Sequence, residues 1–216
     1  LIVLQTDESI EPELNRSFTG HEAPLYVSRI PSGLEVTPDS LASMETHLPA
    51  SADLLPKACQ YSVVGYGCTS ASAIIGSDKI EELVKRTCDT RFVTNPLKAA
   101  TAFAGHHGLS KLALLSPYIE QVNDPLRAAF SKNGISTDVF GTFAESEEAK
   151  VVRISHASIV SAAKALGSDS AVEGVFISCT NLRTFDALPE IQKIIGKPVF
   201  SSNSSLAWHM LRSSMN

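Results

Sequence analysis

Short runs of apolar and β-branched residues recur along the chain, and segments with helical periodicity separate them. This alternation is typical of βα units, whose strands pair in parallel and are buried on both faces. The pattern therefore predicts an α/β protein with mostly parallel sheets. The predicted strands cover residues 1–5, 25–30, 61–66, 91–94, 111–116, 135–141, 172–178 and 198–201.

The predicted helices lie between these strands. Several begin at an Asp, Ser or Asn that can cap the first turn, and one starts with Pro38, a residue favoured at that position. The clearest helical periods cover residues 38–57, 76–87, 96–107, 119–132, 146–167, 187–195 and 203–213.

The two halves of the chain repeat one another. Residues 1–7 match residues 112–118 at an offset of 111, the helices that follow end at Phe18 and Phe130, and residues 91–96 match 198–203. Such repeats indicate two similar structural units. We expect two similar lobes related by a pseudo-twofold axis, each with a mostly parallel four-stranded sheet, and an active site in the cleft between them. The predicted lobes cover residues 1–95 and 96–202, and the helix at about 203–216 is expected to pack back on the first lobe.

Two cysteines occupy matching positions in the repeat, also 111 residues apart. Cys68 lies in Gly67-Cys68-Thr69-Ser70 and Cys179 in Ser178-Cys179-Thr180-Asn181, each directly after a predicted strand. Ligands of parallel α/β sheets bind beyond the carboxyl ends of strands, so both thiols are predicted to face one site. Free cysteines are often only small core residues, and we keep that interpretation for Cys59 and Cys88, which lie in no motif.

Composition narrows the classes of partner. The chain has 216 residues, a formal net charge of −5 and no cluster of Lys and Arg, which argues against nucleic acid or an anionic membrane as a partner. No apolar run approaches the ~18 residues that a membrane span needs.

Four cysteines without close pairing favour reduced thiols and a cytoplasmic protein. We interpret Leu1, inside an apolar run, as a trimmed start and not as part of a signal peptide.

The cysteine motifs resemble the aspartate/glutamate racemase superfamily, and in particular its maleate isomerase and arylmalonate decarboxylase branch, which includes ectoine-utilisation-type proteins. Residues 6–8, 10–13, 116–118, 152–155 and 196–203 support the resemblance, which covers essentially the whole chain. It implies an isomerase or racemase that acts on a small carboxylate without metal or cofactor, in a dimer or tetramer. An arylmalonate-type decarboxylase is the alternative, but those enzymes carry only the second-half cysteine, so Cys68 argues against it.

Two opposed thiols suit this chemistry. Removing a proton from a carbon beside a carboxylate requires a base on one face and an acid on the other. One thiol, held as thiolate by backbone N–H groups, can be the base while the other stays protonated. We expect Cys68 to be the nucleophile or base and Cys179 the acid. The resemblance implies a second use, in which the first-half cysteine adds to a double bond, the central bond rotates and elimination gives the trans product.

Small polar residues next to the cysteines are the candidate substrate ligands. Hydroxyls and backbone amides of Thr69, Ser70 and Thr180 are expected to hold carboxylates, which needs no Lys or Arg. Tyr118 matches the Ser/Thr-Pro-Tyr position of the family and is either a further donor or a packing residue at a helix start. Its counterpart in the first half is Asp7, which is either a substrate contact or an N-cap.

Two acidic positions depart from the maleate isomerase pattern. That group has asparagine where this chain has Asp7, and again where it reads Ser146-Glu147-Glu148, in which we expect Glu147 to face the substrate. A carboxylate beside a dicarboxylate repels it unless it is protonated or paired. The acids therefore predict a substrate with an ammonium or amidinium group, such as an amino acid or an ectoine-like compound.

Other kinds of site find no support in the sequence. The chain has no metal-binding spacing, dinucleotide fingerprint, phosphate loop or hydrolase elbow, and His106 and His107 would point in different directions on a helix. A non-catalytic small-molecule binding protein stays open, since two lobes around a cleft describe that class too. Such a protein has no need for two matched thiols.

Overall fold

The structure is a computed structural model and describes residues 1–214. It confirms the predicted α/β class: eight strands in the described part form two four-stranded sheets, and all the paired strands run parallel. In each half the second strand lies at one edge, followed by the first, third and fourth strands. The sequence repeat therefore corresponds to a repeat of topology.

The N-terminal sheet has the order β2-β1-β3-β4. Burial along β3 increases towards its carboxyl end, so the strand is fully buried where it reaches the buried Cys68. A side chain at Gly67 would come within 2.7 Å of Ile10 in the helix after β1, so the close approach of β3 to that helix favours glycine there. The strands are β1 (Ile2–Leu4), β2 (Ser28–Ile30), β3 (Tyr61–Gly67) and β4 (Thr90–Thr94).

The C-terminal sheet has the equivalent order β6-β5-β7-β8. Both central strands, β5 and β7, are buried along their whole length, as expected for parallel strands covered on both faces. The pairing of β5 with β6 shifts register between Ser116 and Tyr118, next to the end of the strand. The strands are β5 (Leu112–Tyr118), β6 (Phe140–Glu145), β7 (Gly174–Ile177) and β8 (Val199–Ser201).

The helices of the described residues connect these strands and cover the sheets. None of them is both long enough and apolar enough to cross a membrane. They are α1 (Ile10–Phe18), α2 (Pro38–Asp53), α3 (Thr69–Ile75), α4 (Ser77–Lys85), α5 (Pro96–His106), α6 (Glu120–Lys132), α7 (Glu148–Val151), α8 (His156–Gly167), α9 (Ala187–Ile195) and α10 (Ser202–Ser214).

Two predicted elements differ from the structure. The sixth strand, predicted at 135–141, is β6 at Phe140–Glu145, because residues 135–139 contact β5 only through an isolated bridge and single hydrogen bonds. The helix predicted at 146–167 is divided into α7 and α8. The break falls at residues 152–155, where the Ser155 hydroxyl accepts the N–H of Ser158 and starts α8 as its N-cap.

The last helix crosses from the C-terminal sheet to the N-terminal half of the chain. α10 begins directly after β8 and packs against α5, β3 and α1. Its residues Leu206 and Met210 share a buried cluster with Val3, Ile10 and Leu14. The predicted end of this helix, residues 215–216, lies outside the described residues.

Candidate active site

Each motif cysteine lies at the carboxyl end of one of the two inner strands of its sheet, and both are buried. Cys68 follows β3 and is the N-cap of α3, where its Sγ accepts the N–H of Ala71 at 3.4 Å. Cys179 follows β7, and its Sγ accepts the N–H of Asn181 at 3.3 Å. Cys179 has a φ of 99°, which is unfavourable for a residue with a Cβ and is typical of functional sites held by their surroundings.

Hydrogen bonds join the two cysteine motifs to each other. The Thr180 hydroxyl donates to the carbonyl oxygen of Gly67 over 3.3 Å. The Ser202 hydroxyl accepts the N–H of Cys179 at 3.0 Å and lies 2.7 Å from the hydroxyl of Thr69. The structure therefore brings Cys68, Thr69, Cys179 and Thr180 together in one buried group, to which the buried Ser70 of α3 also belongs.

Asp7 lies in the loop between β1 and α1 and combines the two roles considered for it. Its Oδ1 accepts the N–H groups of Ser9 and Ile10, both at 2.8 Å, as a capping residue does. Its buried Oδ2 has no hydrogen-bond partner within the described chain, because the nearby Thr180 hydroxyl directs its proton to Gly67. Asp7 thus has one oxygen fixed by backbone and one available for a ligand.

Tyr118 ends β5 and contacts both a thiol and a carboxylate. Its hydroxyl donates to Glu148 Oε1 at 2.7 Å and lies 3.0 Å from Cys179 Sγ. The other oxygen of Glu148 accepts the side-chain amide of Asn181 at 2.8 Å. Tyr118 is therefore a polar member of the site and not only a packing residue.

Glu147 does not lie in this group. Its side chain is 48% exposed and pairs with Lys150, whereas the adjacent Glu148 is 3% exposed and faces Tyr118. The cause is a contact between the halves: residues 34–36 bond to residues 146–148, including a bridge between Glu35 and Glu147, and this sets the start of α7. The acid that sequence reasoning assigned to Glu147 is thus supplied by Glu148.

The electrostatic environment keeps both thiols protonated when no ligand is bound. Burial raises the pKa of Cys68 to about 12, the N–H of Ala71 opposes this increase, and Glu148 and Asp7 add to it. Burial also raises the pKa of Cys179 well above its ordinary range, and Glu148 raises it further. Because the same two carboxyls act on both thiols, the thiols share one electrostatic environment.

The two acids of the site are also shifted towards their neutral forms. Burial raises the pKa of Asp7, although the amides of Ile10 and Ser9 oppose this, and it raises the pKa of Glu148 against the opposing effect of Asn181 and Tyr118. The donors to these carboxylates are thus amides and a hydroxyl. Arg29 lowers the pKa of Asp7, and its guanidinium is bound to the backbone oxygen of Asp7 and to Glu11.

Comparison with known proteins identifies the family. The sequence profile described as arylmalonate decarboxylase matches residues 33–215, which is most of the chain. The chain belongs to the arylmalonate decarboxylase family. A segment of 106 residues is 27% identical to the arylmalonate decarboxylase of Bordetella bronchiseptica, and it spans 49% of this chain and 44% of that enzyme. The chain therefore matches less than half the length of this curated relative.

Solved structures share the fold at low identity. The maleate isomerase Iso of Pseudomonas putida S16 superposes with a TM-score of 0.86 at 18% identity, covering 98% of this chain and 90% of that one. A mutant maleate cis-trans isomerase of Nocardia farcinica with a covalently bound succinylcysteine intermediate gives 0.84 at 20% identity, covering 98% and 90%. Unliganded arylmalonate decarboxylase gives 0.74 at 19% identity, covering 99% and 90%. The predicted superfamily and two-lobed fold are thereby confirmed.

This member of the arylmalonate decarboxylase family has a further buried carboxylate, which the sequence analysis did not assign to the site. Glu13 of α1 accepts the N–H groups of Thr184 and Phe185 at 2.6 and 2.9 Å, and its second oxygen accepts the Asn203 amide at 2.8 Å. It thereby ties the loop after Cys179 to the N-terminal half. A signal was present in the sequence, because Glu13 lies on the same helical face as the apolar Ile10 and Leu14.

No metal site accompanies these acids and thiols. Within residues 1–214, no group of three or more His, Cys, Asp or Glu residues is arranged to hold a metal ion.

Proposed function

We propose that this member of the arylmalonate decarboxylase family is an isomerase or racemase that uses Cys68 and Cys179 on a small carboxylate, without metal or organic cofactor. The observation that supports the proposal most strongly is the contact between the two cysteine motifs through Thr180 and Gly67 and through Ser202 and Thr69. Two buried thiols at equivalent strand ends are what acid and base catalysis on opposite faces of one carbon requires.

The proposed racemase step needs no group beyond these residues and the substrate. One cysteine, as thiolate, takes the proton on the carbon next to the substrate carboxylate, and the electron pair of the broken C–H bond moves into that carboxylate. The thiol of the other cysteine then donates its proton to the opposite face and becomes the thiolate. We assign Cys68 as base or nucleophile and Cys179 as acid.

The proposed isomerase step uses the same pair on an unsaturated substrate. The Cys68 thiolate adds to one carbon of the double bond, which forms a C–S bond and moves the π electrons towards a carboxylate. Rotation about the new single bond and expulsion of the thiolate give the trans product. The succinylcysteine intermediate of the Nocardia farcinica isomerase supports addition of a cysteine as chemistry available to this fold.

We assign the substrate class from the acids of the site. The unpartnered oxygen of Asp7 and the carboxyl of Glu148 lie beside the thiols, and both raise the pKa of Cys68 and Cys179. A second anionic group there would be repelled, whereas an ammonium or amidinium group would pair with Asp7 and favour thiolate formation. Thr69, Ser70 and the backbone N–H of Thr180, whose hydroxyl donates to Gly67, are the proposed contacts of the substrate carboxylate.

The proposal is tested by a substrate panel with the wild-type chain and Asp7→Asn. Maleate, aspartate, glutamate and an ectoine derivative are assayed for isomerisation and for exchange of the α-proton with deuterated water. We expect turnover of a substrate that carries a cationic nitrogen, and a shift of preference towards maleate in Asp7→Asn. Unchanged preference would contradict the substrate class.

Loss of turnover by a factor of about 10² to 10⁴ is expected for Cys68→Ser and Cys179→Ser, with Cys88→Ser as the control.

Decarboxylation of an arylmalonate is the second candidate function. The family profile and the Bordetella bronchiseptica relative favour it. The two functions differ in their need for Cys68, because protonation after loss of carbon dioxide requires one acid only. Release of carbon dioxide from an arylmalonate that persists in Cys68→Ser would replace the two-thiol proposal by this one.

A further inference from the structure

A continuous chain of hydrogen bonds leads from Cys179 to a buried carboxyl that the steps above do not use. Cys179 Sγ lies 3.0 Å from the Tyr118 hydroxyl, and that hydroxyl donates to Glu148 Oε1 at 2.7 Å. All three side chains are at least nine-tenths buried. Bulk water therefore has little access to the thiol proton of Cys179, and the nearest acceptor is within the protein.

The surroundings fix the direction of each bond in the chain. Asn181 Oδ1 accepts the N–H of Glu8 at 2.8 Å, so its NH₂ group faces Glu148 and donates to Oε2. A carboxylate can only accept, so Tyr118 uses its single proton for Oε1. The thiol proton of Cys179 is then the proton that lies between sulfur and the Tyr118 oxygen.

We propose that Glu148 takes the proton of Cys179 through the hydroxyl of Tyr118 and returns it by the same route. The S–H bond of Cys179 breaks as an O–H bond forms at Tyr118, and the original O–H bond of Tyr118 breaks as one forms at Glu148 Oε1. The products are a thiolate, a neutral tyrosine and a neutral carboxylic acid, so the total charge does not change. The inference rests on the proposed two-thiol function and names the proton store of its second thiol.

Every group in the chain has a hydrogen-bond partner both before and after the transfer. Afterwards the Glu148 acid donates to Tyr118 and Tyr118 donates to the thiolate, while Asn181 keeps its bonds to Glu148 Oε2 and to Cys179 Sγ. Two other titratable groups face the chain: Asp7 raises the pKa of both Glu148 and Cys179, and Cys68 lies near the same carboxyls. Glu148 and Cys179 thus share one negative charge, which either of them can carry.

This arrangement gives Glu148 a role different from that of a merely repulsive neighbour. As base, Cys179 first loses its proton to Glu148 and then takes one from the substrate, so that both groups end protonated. As acid in the reverse direction, Cys179 gives its proton to the substrate, and Glu148 returns the stored proton to it. Glu148 acts through Tyr118 and does not touch the reacting carbon, so it is a positioning and proton-storing residue.

The rate of alkylation of Cys179 by iodoacetamide tests the transfer without any turnover. The parent protein carries Cys68→Ser, and modification of Cys179 is followed by peptide mass spectrometry. Proton transfer from Cys179 to Glu148 predicts that the rate of alkylation changes less than about twofold between about pH 7 and about pH 8.5. The reason is that the proton moves within the protein and not to solvent. Glu148→Gln cannot take up the proton, so in this variant the rate should rise about tenfold per pH unit.

Glu147→Gln is the matched control, because the same change is made one residue away at a side chain that faces solvent. It should keep the pH-independent rate of the parent. A parent rate that rises tenfold per pH unit, an unreactive thiol at every pH, or a flat profile that persists in Glu148→Gln would each overturn the proposal. A purely repulsive Glu148 predicts parallel profiles, with Glu148→Gln the more reactive. If Glu148→Gln does not fold, the pH profile of the parent protein decides, and absence of turnover on every substrate leaves this readout intact.

Discussion

The hydroxyl of Thr180 donates to the carbonyl oxygen of Gly67 over 3.3 Å, and so joins the residue after Cys179 to the residue before Cys68. A second connection runs from the N–H of Cys179 through Ser202 to Thr69. The spacing of the two thiols is therefore set by short polar contacts between the halves of the chain, and not only by apolar packing.

Thr180→Val should lower kcat strongly and the free energy of unfolding only slightly. Valine keeps the shape of threonine but cannot donate to Gly67, so one buried carbonyl loses its partner at a cost of about 1 kcal/mol. Small displacements of reacting groups reduce rates by up to about a hundredfold, and we expect a loss of about tenfold to a hundredfold in kcat. Steady-state kinetics on the substrate found in the panel measures it. Thr180→Ser retains the donor and is the control, and equal kcat values for the two variants would contradict the role of this bond.

Glu13→Leu should destabilise the protein strongly. Leucine leaves the N–H groups of Thr184 and Phe185 and the amide of Asn203 without their acceptor in a buried place. Each unsatisfied buried donor costs about 1–3 kcal/mol, so the free energy of unfolding should fall by about 3 kcal/mol or more. Denaturant unfolding measures it. Glu13→Gln, which keeps one oxygen for the two backbone amides, should lose less, and an effect no larger than that of the exposed Glu120→Leu would contradict the role of Glu13.

The parts of the fold and site that were predictable follow from local patterns repeated in the chain. Strand periodicity and the 111-residue repeat placed Cys68 and Cys179 at equivalent strand ends, and the structure brings their motifs together. Glu148 was not predicted, because the phase of α7 depends on the bridge between Glu35 and Glu147, which are 112 residues apart in the chain. Local sequence contains no information on that contact, although Glu148 does share a helical face with the buried Val151 and Val152.

The reactivity of the thiols is another property that could not be predicted correctly from the sequence motif alone. The motif suggests a Cys68 thiolate stabilised by amides, but the pKa of about 12 leaves about one part in 10⁵ ionised at pH 7. In the ligand-free wild-type protein, iodoacetamide should therefore label the partly exposed Cys59 well before Cys68. Mass spectrometry of time points gives the order. Labelling of Cys68 first at neutral pH would mean that its thiolate is stabilised by a contact absent from this structure.

Asp7→Asn should change how stability depends on pH, in a direction opposite to that of a salt-bridged acid. The pKa of Asp7 is raised in the folded protein above its ordinary value of 3.8, mainly by burial. Its favourable contribution is therefore complete below the unfolded pKa and is lost as the pH rises through the folded pKa. Asparagine keeps the acceptor for Ser9 and Ile10 but does not titrate, so Asp7→Asn should gain stability relative to wild type as the pH rises above about 4. Urea unfolding at several pH values measures this difference, with the exposed Asp53→Asn as the matched control. A difference that stays constant or shrinks as the pH rises would mean that the Asp7 carboxylate is stabilised in the folded protein, and would remove the electrostatic argument for a cationic substrate.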